Sequence, residues 1–214
     1  MHIEHQKKKP IIHPSAWVAS NAVISGEVIV EEEVYISYGA VIIAEGASIH
    51  IKKGTIIMEN VVLKSSEGKT ISYPLLIEEH TLIGPYAYLI GCTIEKKCFL
   101  AAGAKVYNKA YIGEQSIIEI NGVVHIDTNL KAKTRVPTQH MAFGNPAKIY
   151  PSDNSGNIAK EIESLNFLDT LFQVKDKSKD LKYIAALEQY RYMLFNHKND
   201  DIIKNFSSNS TDRL

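Results

Sequence analysis

The chain has 214 residues, and its 24 Lys plus Arg are balanced by 24 Asp plus Glu. That balance gives no electrostatic footprint for nucleic acid, and no apolar run is long enough to span a bilayer. Two cysteines, Cys92 and Cys98, read as small core residues and not as a disulfide framework, which points to the cytoplasm.

Residues 1–10 (MHIEHQKKKP) form an N-terminal segment with basic residues but no apolar h-region behind them, so no secretory leader is expected. From Ile12 an aliphatic residue returns every sixth position, through Val18, Ile24, Val30, Ile36 and Ile42. Ala16, Ala22, Val28, Val34, Ala40 and Gly46 follow four places behind. A shorter block holds Ile51, Ile57 and Leu63; then Ser65 to Pro74 breaks the period and reads as a loop. Ile77, Ile83 and Leu89 resume it, and the step of five from Leu89 to Ile94 marks a shifted corner.

From Ile94 the period runs through Leu100, Val106, Ile112, Ile118, Val124, Leu130 and Val136 without a miss. Chance would give such a run on the order of once in 50,000 trials for a chain that is about a quarter Ile, Leu and Val. Small or narrow residues (Cys98, Ala104, Ala110, Ser116, Gly122, Thr128, Thr134) again follow four places behind. The segment 136–149 leaves the period, and Pro151 to Gly156 reads as a linker. Ile158, Ile162, Leu165, Leu168 and Phe172 then predict one amphipathic helix. Leu181, Ile184, Leu187, Tyr190, Tyr192 and Leu194 predict a second, with Ser178 as its cap and 176–180 (DKSKD) between them. Residues 206–214 are expected to be a disordered tail.

A period of six fits neither a helix at 3.6 nor a plain strand at 2. It describes an all-β solenoid over 11–150, followed by a helical appendage over 151–205. Each hexad is one short strand and one turn, with the aliphatic residue inside and the small residue at a crowded corner. Three hexads close a triangular coil, and coils stack at about 4.8 Å. Tyr35, Tyr38, Tyr86, Tyr88, Tyr107 and Tyr111 fall on outward positions and suit subunit contacts.

The hexads, the loop before Pro74-Leu75-Leu76-Ile77, the corner Gly91-Cys92-Thr93-Ile94, the opening Ile12-His13-Pro14-Ser15-Ala16 and the closing Phe143-Gly144-Asn145-Pro146-Ala147-Lys148 together resemble the gamma-class carbonic anhydrase-like branch of the hexapeptide transferase superfamily. The resemblance covers about residues 10–150. It implies a left-handed parallel β-helix, a homotrimer, and a zinc site of three histidines between subunits, where hydroxide on the metal attacks carbon dioxide.

By that resemblance, the three ligand positions here are Lys64 after Leu63, Pro85 after Ile83-Gly84, and Ile90 between Leu89 and Gly91. None is a histidine. The supporting motifs read Ile43-Ala44-Glu45 and Met58-Glu59, so zinc is not expected there. Counting three hexads per coil stacks Ile90, Tyr107 and His125 in one outward column, which makes Lys64, Pro85, Ile90 and Tyr107 the walls of a candidate cleft and His125 its histidine. His140 lies in the exit segment. His2, His5 and His197 fall outside the prism; His2-x-x-His5 is a weak metal signal, and no pair of histidines has dependable ligand spacing.

Three functions follow, in this order. A homotrimer with no metal and no required cofactor would bind or scaffold, with neither nucleic acid nor membrane as partner. An acyltransferase would bind acetyl-CoA or another acyl-CoA and use His125 or His140 as general base. A carbonic anhydrase with a rearranged site comes third. No Lys or Arg cluster is clearly placed for the CoA phosphates.

Overall fold

A computed structural model describes residues 1–67, 71–174 and 178–203. The expected tail over 206–214 lies outside them. The chain winds as a left-handed parallel β-helix in which two- and three-residue strands recur every six residues. Each coil visits three sheets in turn: Ile11–Ile12 begins one, Trp17–Val18 the second, and Val23–Ser25 belongs to the third. Among the described residues, the first two sheets hold seven strands each and the third, long sheet holds ten.

The hexad aliphatics are the core. Ile24, Ile42, Leu63, Leu89, Val106, Ile118 and Val136 all have no exposed surface, and each strand pairs in register with the strand one coil away. Ile12, Ala16 and Val18, in the first full coil, are only partly covered. The corners are turned by residues with left-handed backbones. Lys97, Lys109, Gln115, Asn121, Asp127, Lys133 and Gln139 have φ between 55° and 63°, with Gly103 filling the remaining place in the six-residue series. Such a backbone costs a non-glycine residue roughly 1–2 kcal/mol. It is offset because each corner N–H reaches a carbonyl on the neighbouring coil, as Asn121 does to Ala102 at 3.0 Å and Asp127 to Asn108 at 3.0 Å.

Three expectations need correction. The N-terminal segment is not separate from the prism: His2–Glu4 adds to the long sheet beside Val23–Ser25, in parallel. The break after Leu63 is more than a loop, for Ser66–Glu67 and Ser72–Tyr73 pair as an antiparallel ribbon. The first helical stripe is two helices, α1 (Ser155–Ser164) and α2 (Phe167–Phe172), divided at Asn166 with φ 43°. The left-handed Asn166 turns the chain so that α2 faces the prism while Ile162 stays exposed on α1. Helix α3 (Lys179–Asn196) begins after Ser178 as expected, though no side-chain hydrogen bond caps it.

The long sheet carries an antiparallel strand at either end, Lys148–Pro151 on one and Asp201–Ile202 on the other. The latter follows a 3-10 turn at His197–Asn199 and zips to His2–Glu4.

Replacing Ile112 by Ala should cost about 2–5 kcal/mol in urea unfolding, because its side chain is fully enclosed between coils. Ile11→Ala, one residue from a core position but 66% exposed, should change stability by less than about 0.5 kcal/mol. Similar costs for both would mean the inward register is misassigned.

Candidate functional site

The outward row at the end of each long-sheet strand sets the site. Residue pairing stacks Ser25 on Ile43, Ile43 on Lys64 and Lys64 on Ile90. The column then continues through Tyr107, His125 and Phe143, whose rings lie 5.5 and 5.1 Å apart centre to centre in near-parallel stacks. Ile90, Tyr107 and His125 thus share one column, as coil counting requires.

Helices α2 and α3 lie over the part of this row that holds Lys64 and Ile90. Lys64, Ser66, Tyr73, Ile90 and Asn108 face Leu171, Phe172, Gln189, Tyr190 and Met193 across a residual cavity of about 50 Å³. The Tyr73 hydroxyl donates to the Thr170 carbonyl at 3.1 Å, and Asn108 donates to the Ser66 hydroxyl at 3.0 Å. The two helices hold each other through Phe172 against Tyr190, ring centres 5.2 Å apart, and through Lys182 to Asp169 at 2.6 Å. Tyr88 and Tyr107, expected as outward contact residues, are half-buried, whereas Tyr35, Tyr38, Tyr86 and Tyr111 are exposed. Burial, more than any neighbouring charge, raises the Tyr88 hydroxyl pKa.

Lys64 is committed to Glu45, whose Oε1 lies 3.1 Å from its Nζ; Glu45 itself is only 6% exposed. The same oxygen receives His197 Nε2 at 3.4 Å. His197 Nδ1 reaches Asp200 at 2.8 Å, and Asp200 uses its other oxygen for His5 Nδ1 at 2.6 Å. Burial opposes charge on His197, but Asp200 and then Glu45 outweigh it and raise its pKa above the ordinary value. His5 is 2% exposed and its ring stacks on His197 at 4.3 Å, so neither histidine lies free of the prism.

The structure does not bring all the expected residues together. Pro85 sits at the opposite corner of the long sheet, before the strand that Ile90 ends, and its carbonyl accepts the Gly103 N–H at 2.9 Å. His140 begins the strand His140–Phe143, three places from the Phe143 that neighbours His125. A carbonyl only accepts, so His140 Nδ1 carries the proton it gives to Thr138 at 2.9 Å. His125 is the reverse: its Nδ1 accepts the Ile126 N–H at 2.9 Å, so the neutral ring carries its proton on Nε2. Desolvation lowers its pKa.

Zinc needs imidazole, thiolate or carboxylate donors. An ammonium already paired with Glu45, an imino acid without a side-chain donor and a hydrocarbon do not fit that metal. Both thiols are free and buried; burial pushes Cys98 up to about 11 and Cys92 higher. A second, open groove of about 900 Å³ runs beside α2, where Lys109 and Lys182 alternate with Asp127 and Asp169. Among the described residues no helix is long and apolar enough to cross a membrane.

No family model matches the chain. It is 30% identical to gamma carbonic anhydrase 1, mitochondrial, of Arabidopsis thaliana over 145 residues, 66% of this chain and 50% of the relative. It is 22% identical to the carnitine operon protein CaiE of Salmonella agona over 183 residues, 85% of this chain and 87% of that one. The chain therefore spans about half the length of the carbonic anhydrase relatives it matches. A Bacillus cereus protein solved under the name of an acetyltransferase, the BC4754 gene product, shares the fold at a TM-score of 0.53 and 21% identity, over 91% of this chain and 94% of that one. Hexad period, stacked coils and relatives agree that the chain is a hexapeptide-repeat β-helix, similar in sequence to the gamma carbonic anhydrases.

Proposed function

We propose that the protein is a homotrimeric scaffold or binding subunit that has no metal at the position its relatives' fold suggests, and that works in a reducing compartment such as the cytosol. One observation carries this reading. Where the branch would place imidazoles, Lys64 is neutralised by the buried Glu45 and Ile90 is roofed by the chain's own α2 and α3. The row is closed by packing and not held open for a substrate.

The trimer is supported by another face. Trp17, Tyr35, Ile56, Leu82, Phe99 and Ile117 stack in register down the second sheet, outward and all but Leu82 well exposed. Six strands at about 4.8 Å make an apolar strip on the order of 24 Å long, costly to leave in water. The groove beside α2 supports the non-catalytic reading too, since its lysines and aspartates balance and leave no surplus charge for CoA phosphates. His125 is poorly disposed as a base, with its Nδ1 lone pair taken and its Nε2 protonated. Of the two histidines, His140 has the tautomer that acyl transfer needs, so it is the one to test in that alternative.

Wild-type protein should sediment as a trimer, and Phe99→Glu should yield folded monomers by circular dichroism. A wild-type monomer would overturn the assembly. Hydration of carbon dioxide should not exceed the uncatalysed rate with or without added zinc, and calorimetry should detect no heat with acetyl-CoA or CoA. Acetyl-CoA binding lost in His140→Ala would establish the acyltransferase instead.

His125 predicts a pH dependence. Its folded pKa lies below the unfolded value of about 6.5, so the stability it contributes is fully present above that value. It is lost as pH falls through 6.5 toward the lowered folded value. Urea midpoints of His125→Gln should therefore fall less steeply on acidification than those of wild type, and a steeper fall would mean the ring is charged in the fold.

A further inference from the structure

We infer that His5, His197 and Asp200 form a site for one divalent transition-metal ion, of the zinc class, that fastens the two ends of the described chain at the first coil. The three donors lie outside the row of Lys64 and Ile90, to which Glu45 alone links them, and the inference does not depend on the scaffold reading.

The backbone delivers the three residues. His2–Glu4 pairs antiparallel with Asp201–Ile202 in the register Glu4 to Asp201, so the next residues along, His5 and Asp200, meet. The turn His197–Asn199 places His197 three residues before Asp200 and folds it onto the same carboxylate. One ring nitrogen of each imidazole and an Asp200 oxygen lie within 4.8 Å of one another, and each Nδ1 is within 2.8 Å of an Asp200 oxygen. His5 is buried, and the side chains of His197 and Asp200 are 27% and 17% exposed.

Two imidazoles and one carboxylate are a donor set for zinc that leaves one position open. The surroundings match the outer partners of such sites. A ligating imidazole is usually oriented by a carboxylate on its other nitrogen, and here Glu45 Oε1 stands 3.4 Å from His197 Nε2, itself held by Lys64. Without metal, the Nδ1 protons of the two rings occupy the fork of Asp200. Metal takes their place, and each neutral ring then carries its proton on Nε2, that of His197 pointing to Glu45. Loading turns both rings about their Cβ–Cγ bonds, since stacked rings 24° apart do not aim their lone pairs at one point.

The test titrates the chelator-stripped full chain with Co²⁺ alone, then with Zn²⁺. One equivalent of cobalt should give visible d–d bands that zinc abolishes, and two paramagnetically shifted, exchangeable imidazole N–H resonances should appear. His5→Asn and His197→Gln should remove the bands, Glu45→Gln should weaken binding by about 10–100-fold, and His125→Ala should leave it unchanged. Any number of shifted resonances other than two overturns the site in wild type, whatever the variants' folding. Absence of cobalt binding overturns this inference and leaves the scaffold reading standing. Binding lost in His125→Ala but kept in His197→Gln overturns both.

Discussion

The six-residue register is the constraint on which everything else in this molecule rests. Three hexads per coil put Leu63, Leu89, Val106 and Val124 directly over one another, and the same geometry aligns whatever follows them on the outside. Outward residues are therefore not independent surface positions. Lys64, Ile90, Tyr107 and His125 form a column because their inward neighbours do, and a change at one is met by the residue one coil away. The register is held at the corners as much as in the core, where left-handed residues such as Asn121 and Asp127 exchange local strain for hydrogen bonds between coils.

Most of the prism was legible because periodicity is a property of the sequence itself. The inward aliphatics, the small corner residues, the five-residue step at Leu89 to Ile94 and the column through Ile90, Tyr107 and His125 all follow from counting. The corner residues also carry a readable signal, since Lys97, Gly103, Lys109, Gln115, Asn121, Asp127, Lys133 and Gln139 recur at six. What counting cannot reach is contact between parts that share no period. The His5–Asp200 pair is separated by 195 positions and arises from antiparallel zipping of two short strands. The division of the first helical stripe was hidden because Asn166 interrupts the apolar spacing by backbone conformation and not by composition. Pro85 was grouped with Ile90 by a family pattern that draws ligands from different subunits, whereas one chain places the two at opposite corners of a sheet.

The covered row is held by one shared charge and by apolar packing. Glu45 is enclosed, and an enclosed carboxylate is costly unless paired. Lys64 and His197 both meet it, so residues on the prism and beyond the helices share one charge. Phe172, Tyr190 and Met193 fill the space above Ile90 with apolar volume. Exposed apolar surface is left on the sheet bearing Trp17, Tyr35 and Phe99 and on the outer side of α3, at Leu181, Ile184, Tyr192 and Leu194.

The antiparallel strands at the two extremities of the long sheet have a consequence for how the molecule behaves in a crowd. A stack of parallel strands ends in unpaired amide and carbonyl groups that repeat the spacing of its interior, and such a rim can recruit another solenoid as its next coil. Lys148–Pro151 reverses direction on one rim and carries a proline that cannot donate, while Asp201–Ile202 blocks the other with two residues only. Each reversal makes the rim of this sheet a poor template for a parallel newcomer, so on that face a second solenoid meets no ready continuation of the stack.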